Sequence, residues 1–109
     1  MKTKTRKEKV ALALLFNPTS GVSEREMVFN LNLTSGRNEI AEIERNHNIK
    51  FNREWNKTAD GQGQYYRYYC PNKTTALRLI DVINQLRRKR GKPSIQSDDI
   101  QEILMRYEV

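Results

Sequence analysis

Side chains with hydrogen-bonding and charged heads cluster at helical spacing in one short segment, 36–47. There Ile40 and Ile43 form a narrow apolar stripe at helical spacing. Every other long side chain of the segment is polar, so a core claims only part of this helix. A major groove about 12 Å wide admits one helix with a thin buried stripe and a polar outer face. Guanidinium groups bond guanine edges or phosphates, and carboxamides bond adenine bidentately. Arg37, Arg45, Asn38 and Asn46 are therefore candidate readers of a duplex. Thr34 and Ser35 stand at the N-terminal end of the same helix, where backbone N–H groups and the dipole favour a phosphate. Glu39 and Glu42 weigh against phosphate proximity. Glu39, Glu42 and Glu44 also offer Arg37 and Arg45 ordinary ion-pair partners on a solvated helix.

The charge balance points to the same class of partner. The chain has 20 Lys+Arg against 13 Asp+Glu, a net charge of +7 and a pI near 9.8. Residues 2–9 carry Lys2, Lys4, Arg6, Lys7 and Lys9 against Glu8 alone. Residues 87–92 carry Arg87, Arg88, Lys89, Arg90 and Lys92 with no acid. Basic residues at a helix end complement its dipole, but five in six positions exceed that need. Clusters of this kind favour a polyanion, nucleic acid before an anionic membrane. The segment 93–109 is acidic, with Asp98, Asp99, Glu102 and Glu108 against Arg106.

Other chemistries find little support. One His and one Cys leave few metal or triad combinations, and there is no Gly-rich phosphate loop. The expectation is a protein without enzymatic activity, cofactor or metal. Cys70 before Pro71 reads as a core thiol at a strand end, and His47 as a helix-end residue. A single Cys suits a reducing compartment. No apolar run approaches the roughly 20 residues of a membrane span. Val10–Phe16 is at the short limit for a leader's apolar region and lacks a clear cleavage site. A cytoplasmic protein with no membrane partner is expected.

The secondary structure around the 36–47 segment follows from the residue pattern. The chain's 109 residues are one domain's worth, so a single small core is expected. A helix over Thr5–Phe16 is apolar most of the way round and is stopped by Asn17-Pro18-Thr19-Ser20-Gly21. Ser23 and Glu26 have capping-box spacing and predict a short helix, Glu24–Asn30, burying Met27 and Val28. Leu31 and Leu33 alternate with Asn in a connection to the 36–47 helix. Ile49–Trp55 alternates like a strand, as does the β-prone run Tyr65–Cys70, with the polar loop 56–64 between them. Pro71-Asn72-Lys73-Thr74 opens a helix to about Arg90, with Ala76, Leu79, Ile80, Ile83 and Leu86 on one face. Gly91-Lys92-Pro93-Ser94 is a break. Ser97-Asp98-Asp99 then caps a last helix bearing Ile100, Ile103, Leu104 and Tyr107. The fold class is α+β, mainly helical: residues 1–92 form the domain, and 93–109 form a helical tail that either joins the core or contacts a second copy.

The order helix, short helix, turn, helix, β-hairpin, long helix resembles a winged helix-turn-helix DNA-binding domain from about Lys9 to Tyr69. It is most similar to those of phages and mobile elements. In these, a helix like Gly36-Arg37-Asn38-Glu39-Ile40-Ala41-Glu42-Ile43 leads into a strand like Ile49-Lys50-Phe51-Asn52-Arg53-Glu54-Trp55. A strand like Tyr65-Tyr66-Arg67-Tyr68-Tyr69 completes the wing. The loop is longer than in the tightest examples, and the acidic tail lies outside the pattern. The resemblance implies a DNA-binding regulator or accessory factor. The 36–47 helix would enter the major groove. Lys57, Thr58, Gln62 and Gln64 would approach the backbone or minor groove, with Asp60-Gly61 at the tip. Arg87, Arg88, Lys89 and Arg90 would add non-specific phosphate contacts.

Two other readings stand beside this one. The aromatic set Phe51, Trp55, Tyr65, Tyr66, Tyr68 and Tyr69 would stack unpaired bases in a single-stranded nucleic-acid binder. Strand alternation sends about half of them into a core instead. Alternatively the scaffold is a protein–protein adaptor docking through its acidic tail, since fold does not fix function. A homodimer through that tail is a further alternative.

Overall fold

The computed structural model describes residues 5–31, 36–57, 60–61 and 63–107. Lys2, Lys4, Asn32, Leu33, Thr34, Ser35, Thr58 and Gln62 fall outside these. The chain is mainly helical, with a small antiparallel sheet. Helix α1 spans Arg6–Phe16, and Thr5 caps it by accepting a hydrogen bond from the Glu8 N–H. Its buried face is Val10, Ala11, Leu14 and Leu15, continued unexpectedly by Glu8. Beyond Pro18 the chain turns at Gly21, whose φ is +65°. A Cβ there would stand 2.6 Å from the Tyr68 carbonyl oxygen and 2.7 Å from the Tyr69 ring, so only glycine fits.

A short strand that the sequence did not foreshadow follows, β1 (Val22–Ser23). Helix α2 (Glu24–Leu31) opens with the expected reciprocal capping box. The Ser23 N–H donates to Glu26 Oε1, and the Glu26 N–H donates to Ser23 Oγ, both at 3.1 Å. Met27 is buried, but Val28, expected inside, is 41% exposed. A helix this short buries only its inner line of residues.

Helix α3 (Gly36–His47) crosses α1 and α2 and buries Ile40, Ile43 and Gly36. Gly36 lies so close to α2 that a Cβ would overlap Met27 Sδ. The helix ends at Asn48, which adopts φ 53°, while the Ile49 N–H returns to the Glu44 carbonyl at 3.3 Å. Asn is the non-glycine residue that most readily takes this left-handed position. The exit turn therefore belongs to Asn48 rather than to His47.

Strands β2 (Asn52–Lys57) and β3 (Gln64–Tyr69) form the hairpin, and β1 joins on the far side of β3, giving the order β1-β3-β2. The expected strand began at Ile49. Ile49 and Phe51 instead enter the core before the ladder starts, and β2 itself is largely exposed. Of the aromatic residues here, Phe51 and Tyr68 are buried, whereas Trp55 and Tyr66 are not. The hairpin thus overhangs the core.

Helix α4 (Lys73–Lys89) is capped by Asn72, whose side chain accepts from the Thr75 N–H at 2.9 Å. It buries Ala76, Leu79, Ile80, Val82 and Ile83. It stops at Gly91 (φ +73°), with the Lys92 N–H bonded to the Arg87 carbonyl and the Gly91 N–H to the Arg88 carbonyl. This is the paired closure that a left-handed residue permits at a helix end. Helix α5 (Ser97–Met105) starts from Gln96, with no side-chain cap, so the cap expected at Ser97-Asp98-Asp99 does not form. Its approach is fixed by the Ile95 N–H donating to Asn84 Oδ1 at 2.9 Å. Ile103 is buried in the shared core, and Ile100, Leu104 and Tyr107 pack against it. The Tyr107 hydroxyl donates to the Leu15 carbonyl at 2.6 Å, and Arg106 Nη1 donates to the Phe16 carbonyl at 3.0 Å. Those carbonyls belong to the last turn of α1, which has no intrahelical donors for them.

Candidate nucleic-acid interface

On α3, Arg37, Asn38, Ala41 and Arg45 are exposed. At 100° per residue they occupy one stripe, roughly opposite Ile40 and Ile43. Asn46 is exposed but lies outside that stripe. The acidic residues of the helix are all engaged elsewhere. Arg6 Nε meets Glu39 Oε1 at 3.1 Å, and Lys7 Nζ meets Glu42 Oε1 at 3.6 Å, both from α1. Arg53 of β2 grips Glu44 with two guanidinium nitrogens, at 2.5 and 3.1 Å. The Phe51 N–H adds a third bond to Glu44, at 3.0 Å. Burial pushes the Glu44 carboxyl up, but the bonds from Arg53 and Phe51 and the charges of Arg53 and Lys50 outweigh it. Its pKa is held below the ordinary value. Among the described residues, neither Arg37 nor Arg45 has an ion-pair partner. The pairing of Arg37 and Arg45 with acids of their own helix, which the sequence allows, does not occur.

Arg45 also borders a shallow depression lined by Ala41, Glu44, Asn48, Ile49, Lys50 and Arg53, in which Glu44 offsets Arg53 and leaves Arg45 and Lys50 as the excess charge. Positive charge therefore extends from α3 onto the start of the hairpin. Register places Lys57 opposite Gln64 at the outer end of the ladder, and Lys57 is exposed. The hairpin is held to α2 by Arg67, whose Nη1 lies 2.6 Å from Glu26 Oε1 and 2.9 Å from the Ser20 carbonyl. Tyr68 adds a hydroxyl bond to Glu24 Oε1 at 3.3 Å.

The two basic clusters meet, and part of their charge is spent in the meeting. Glu8 has no exposed surface and receives Arg90 at 2.8 Å on each carboxylate oxygen. Arg87 Nε lies 3.7 Å from the same carboxylate and makes no hydrogen bond. Arg87 and Arg90 therefore face inward to Glu8, while Arg88 and Lys89 are exposed. The excess of bases at 87–92 is partly the complement of one buried acid. Glu8 itself carries a sequence signal for this burial. It falls on the same helical line as Ala11 and Leu15, and an acid continuing an apolar face requires a buried cation. The Glu8–Arg90 clasp joins the α4 end to α1. The Arg6 and Lys7 pairs join α1 to α3.

Cys70 is buried, and burial raises its thiol pKa despite the adjacent Tyr107 hydroxyl and the Asn72 backbone. Among the described residues no group of His, Cys, Asp and Glu is placed to hold a metal ion. No helix among them is long and apolar enough to cross a membrane.

No curated protein and no solved structure matches the chain. A family model matches it over residues 1–109, and the chain thus belongs to the family described as Uncharacterised protein PM1773.

Proposed function

We propose that this protein binds double-stranded DNA in the manner of a winged helix-turn-helix domain. The α3 helix would lie in the major groove, and the hairpin end around Lys57 would lie against the neighbouring backbone or minor groove. The observation that carries the reading is the α3 stripe. Arg37, Asn38 and Arg45 are exposed and the arginines have no ion-pair partner among the described residues, while Glu39, Glu42 and Glu44 are each neutralised by a base from another element. A solvated structural helix with five charges of both signs would satisfy itself through pairs three and four residues apart. Here the bases are spared. Asn38 adds the carboxamide that recognises adenine. Arg88 and Lys89 supply phosphate contacts that are indifferent to sequence. The role that fits is a regulator or accessory factor, and the likeness to phage and mobile-element domains favours such an element as its setting.

The test is a binding titration of the whole chain against duplex and single-stranded oligonucleotides at several salt concentrations. Neutralising about five phosphates, through Arg37, Arg45, Lys57, Arg88 and Lys89, predicts a slope of log K on log salt of about −4 to −5 for duplex. A flat salt dependence, or no affinity for duplex at physiological ionic strength, refutes the proposal; binding of the single strand alone leaves the single-strand reading, and binding of neither leaves the adaptor reading.

A further inference from the structure

The hairpin carries a feature that the duplex reading does not use. Trp55 is 52% exposed and Tyr66 39% exposed, and their ring centroids lie 4.2 Å apart at 60°. They are register partners across β2 and β3, so they share a face of the ladder. The preceding pair on that face is Arg53 and Tyr68, and it is anchored: Arg53 to Glu44 of α3, Tyr68 to Glu24 of α2. The Arg53 guanidinium also lies 5.2 Å from the centre of the Tyr68 ring. Trp55 and Tyr66 are thus one step along the ladder from the side chain that touches α3, about 7 Å further out. The next pair on this face is Lys57 and Gln64.

Leaving a Trp half in water forgoes burial that the fold could have used. A protein-docking patch would surround it with further apolar surface. Here the exposed neighbours on β2 are Asn52, Arg53, Glu54 and Lys57. Two aromatic rings beside the exposed Lys57, on a chain of net charge +7, instead match a nucleotide: a π-face to stack and a phosphate to neutralise. A base inside a duplex offers no free face, whereas an unpaired one does.

We infer that Trp55 and Tyr66 form a stacking platform for an unpaired base, and that the preferred nucleic acid is a duplex bearing an unpaired segment beside the α3 site. The inference rests on the duplex reading for its second half. Tyr68, which a single-strand reading of the sequence would recruit, is 3% exposed and takes no part.

Trp55 is the only tryptophan in the chain, so its emission reports the platform directly. The probes are a blunt duplex of about 20 base pairs and the same duplex with an unpaired arm of about six nucleotides. The forked probe is expected to bind about tenfold more tightly than the blunt one, the order of a single base–aromatic stack. It should quench Trp55 emission, and the blunt probe should not. Trp55→Ala should bring the two affinities within about twofold of each other while leaving the blunt-duplex affinity in place, and Trp55→Phe should retain most of the preference. Arg37→Ala should weaken both probes together. Equal binding of the two probes, unchanged emission, or a fork preference that survives Trp55→Ala overturns the platform. If Arg37→Ala changes neither probe while Trp55 is still quenched by the unpaired arm, the platform stands and the duplex reading fails.

Discussion

Replacing Ile103 by Ala probes whether the acidic tail belongs to the core. Ile103 is 2% exposed and is the one α5 residue with essentially no solvent contact. The substitution removes three carbon atoms, about 2.4 kcal/mol of transfer free energy at ~0.8 per methylene. A void adds to this, but α5 is a terminal helix whose other apolar residues, Ile100 and Leu104, are only partly buried and can settle inward. The total expected is about 3 kcal/mol. For a chain of this length that lowers Tm by roughly 12 °C. The assay is paired urea and thermal unfolding followed by far-ultraviolet circular dichroism, over a range of protein concentrations. A loss below about 0.5 kcal/mol would mean that Ile103 is not packed as described. A Tm of the parent chain that climbs with concentration would mean that α5 is completed by a second copy.

Three further outcomes follow from the same structure. Gly21→Ala should cost about 2 kcal/mol by chemical denaturation, because it combines a left-handed backbone with overlap onto the Tyr68 carbonyl. Glu44 has a depressed pKa in the folded state, so its contribution is present above its unfolded value and is lost as pH falls through the folded one. Glu44→Gln should accordingly flatten the acid limb of a stability–pH profile below about pH 5, and an unchanged limb would contradict the Arg53–Glu44 geometry. Cys70, buried and with a raised thiol pKa, should resist iodoacetamide in the native chain near pH 8 and react fully in denaturant. Ready native labelling would place the thiol at the surface.

Much of this architecture was legible in the residues. Ser23 and Glu26 announced their capping box because the motif is local, and Ile40 and Ile43 announced a helix with one thin buried line. The Ala76–Leu86 face was equally plain. What escaped was whatever depends on a partner far along the chain. β1 is two residues long and exists only because Val22 and Ser23 lie beside Tyr68 and Arg67. Trp55 alternates correctly for a buried strand position, yet the core ends at Phe51 and Tyr68, and alternation alone does not say how far a core extends. The same holds for charge. Arg90 and Arg87 read as part of an outward patch because their partner, Glu8, lies 82 residues from Arg90. Conversely, Glu39 and Glu42 oppose a polyanion on sequence grounds alone, and in the fold Arg6 and Lys7 of α1 offset them. Of the candidate residues, the structure describes the side chains of Arg37, Asn38, Arg45, Lys57, Arg87, Arg88, Lys89 and Arg90. It collects the first three on one stripe.

Whether the α3 stripe binds duplex is decided by the affinity of the Arg37→Ala/Arg45→Ala double variant beside the parent chain. Both side chains are exposed and the arginines have no ion-pair partner among the described residues, so Tm should stay within a few degrees. An affinity loss on the order of 100-fold is expected at fixed salt, from about 1–3 kcal/mol for each arginine. A double variant that binds duplex as tightly as the parent would contradict it and move the interface off α3.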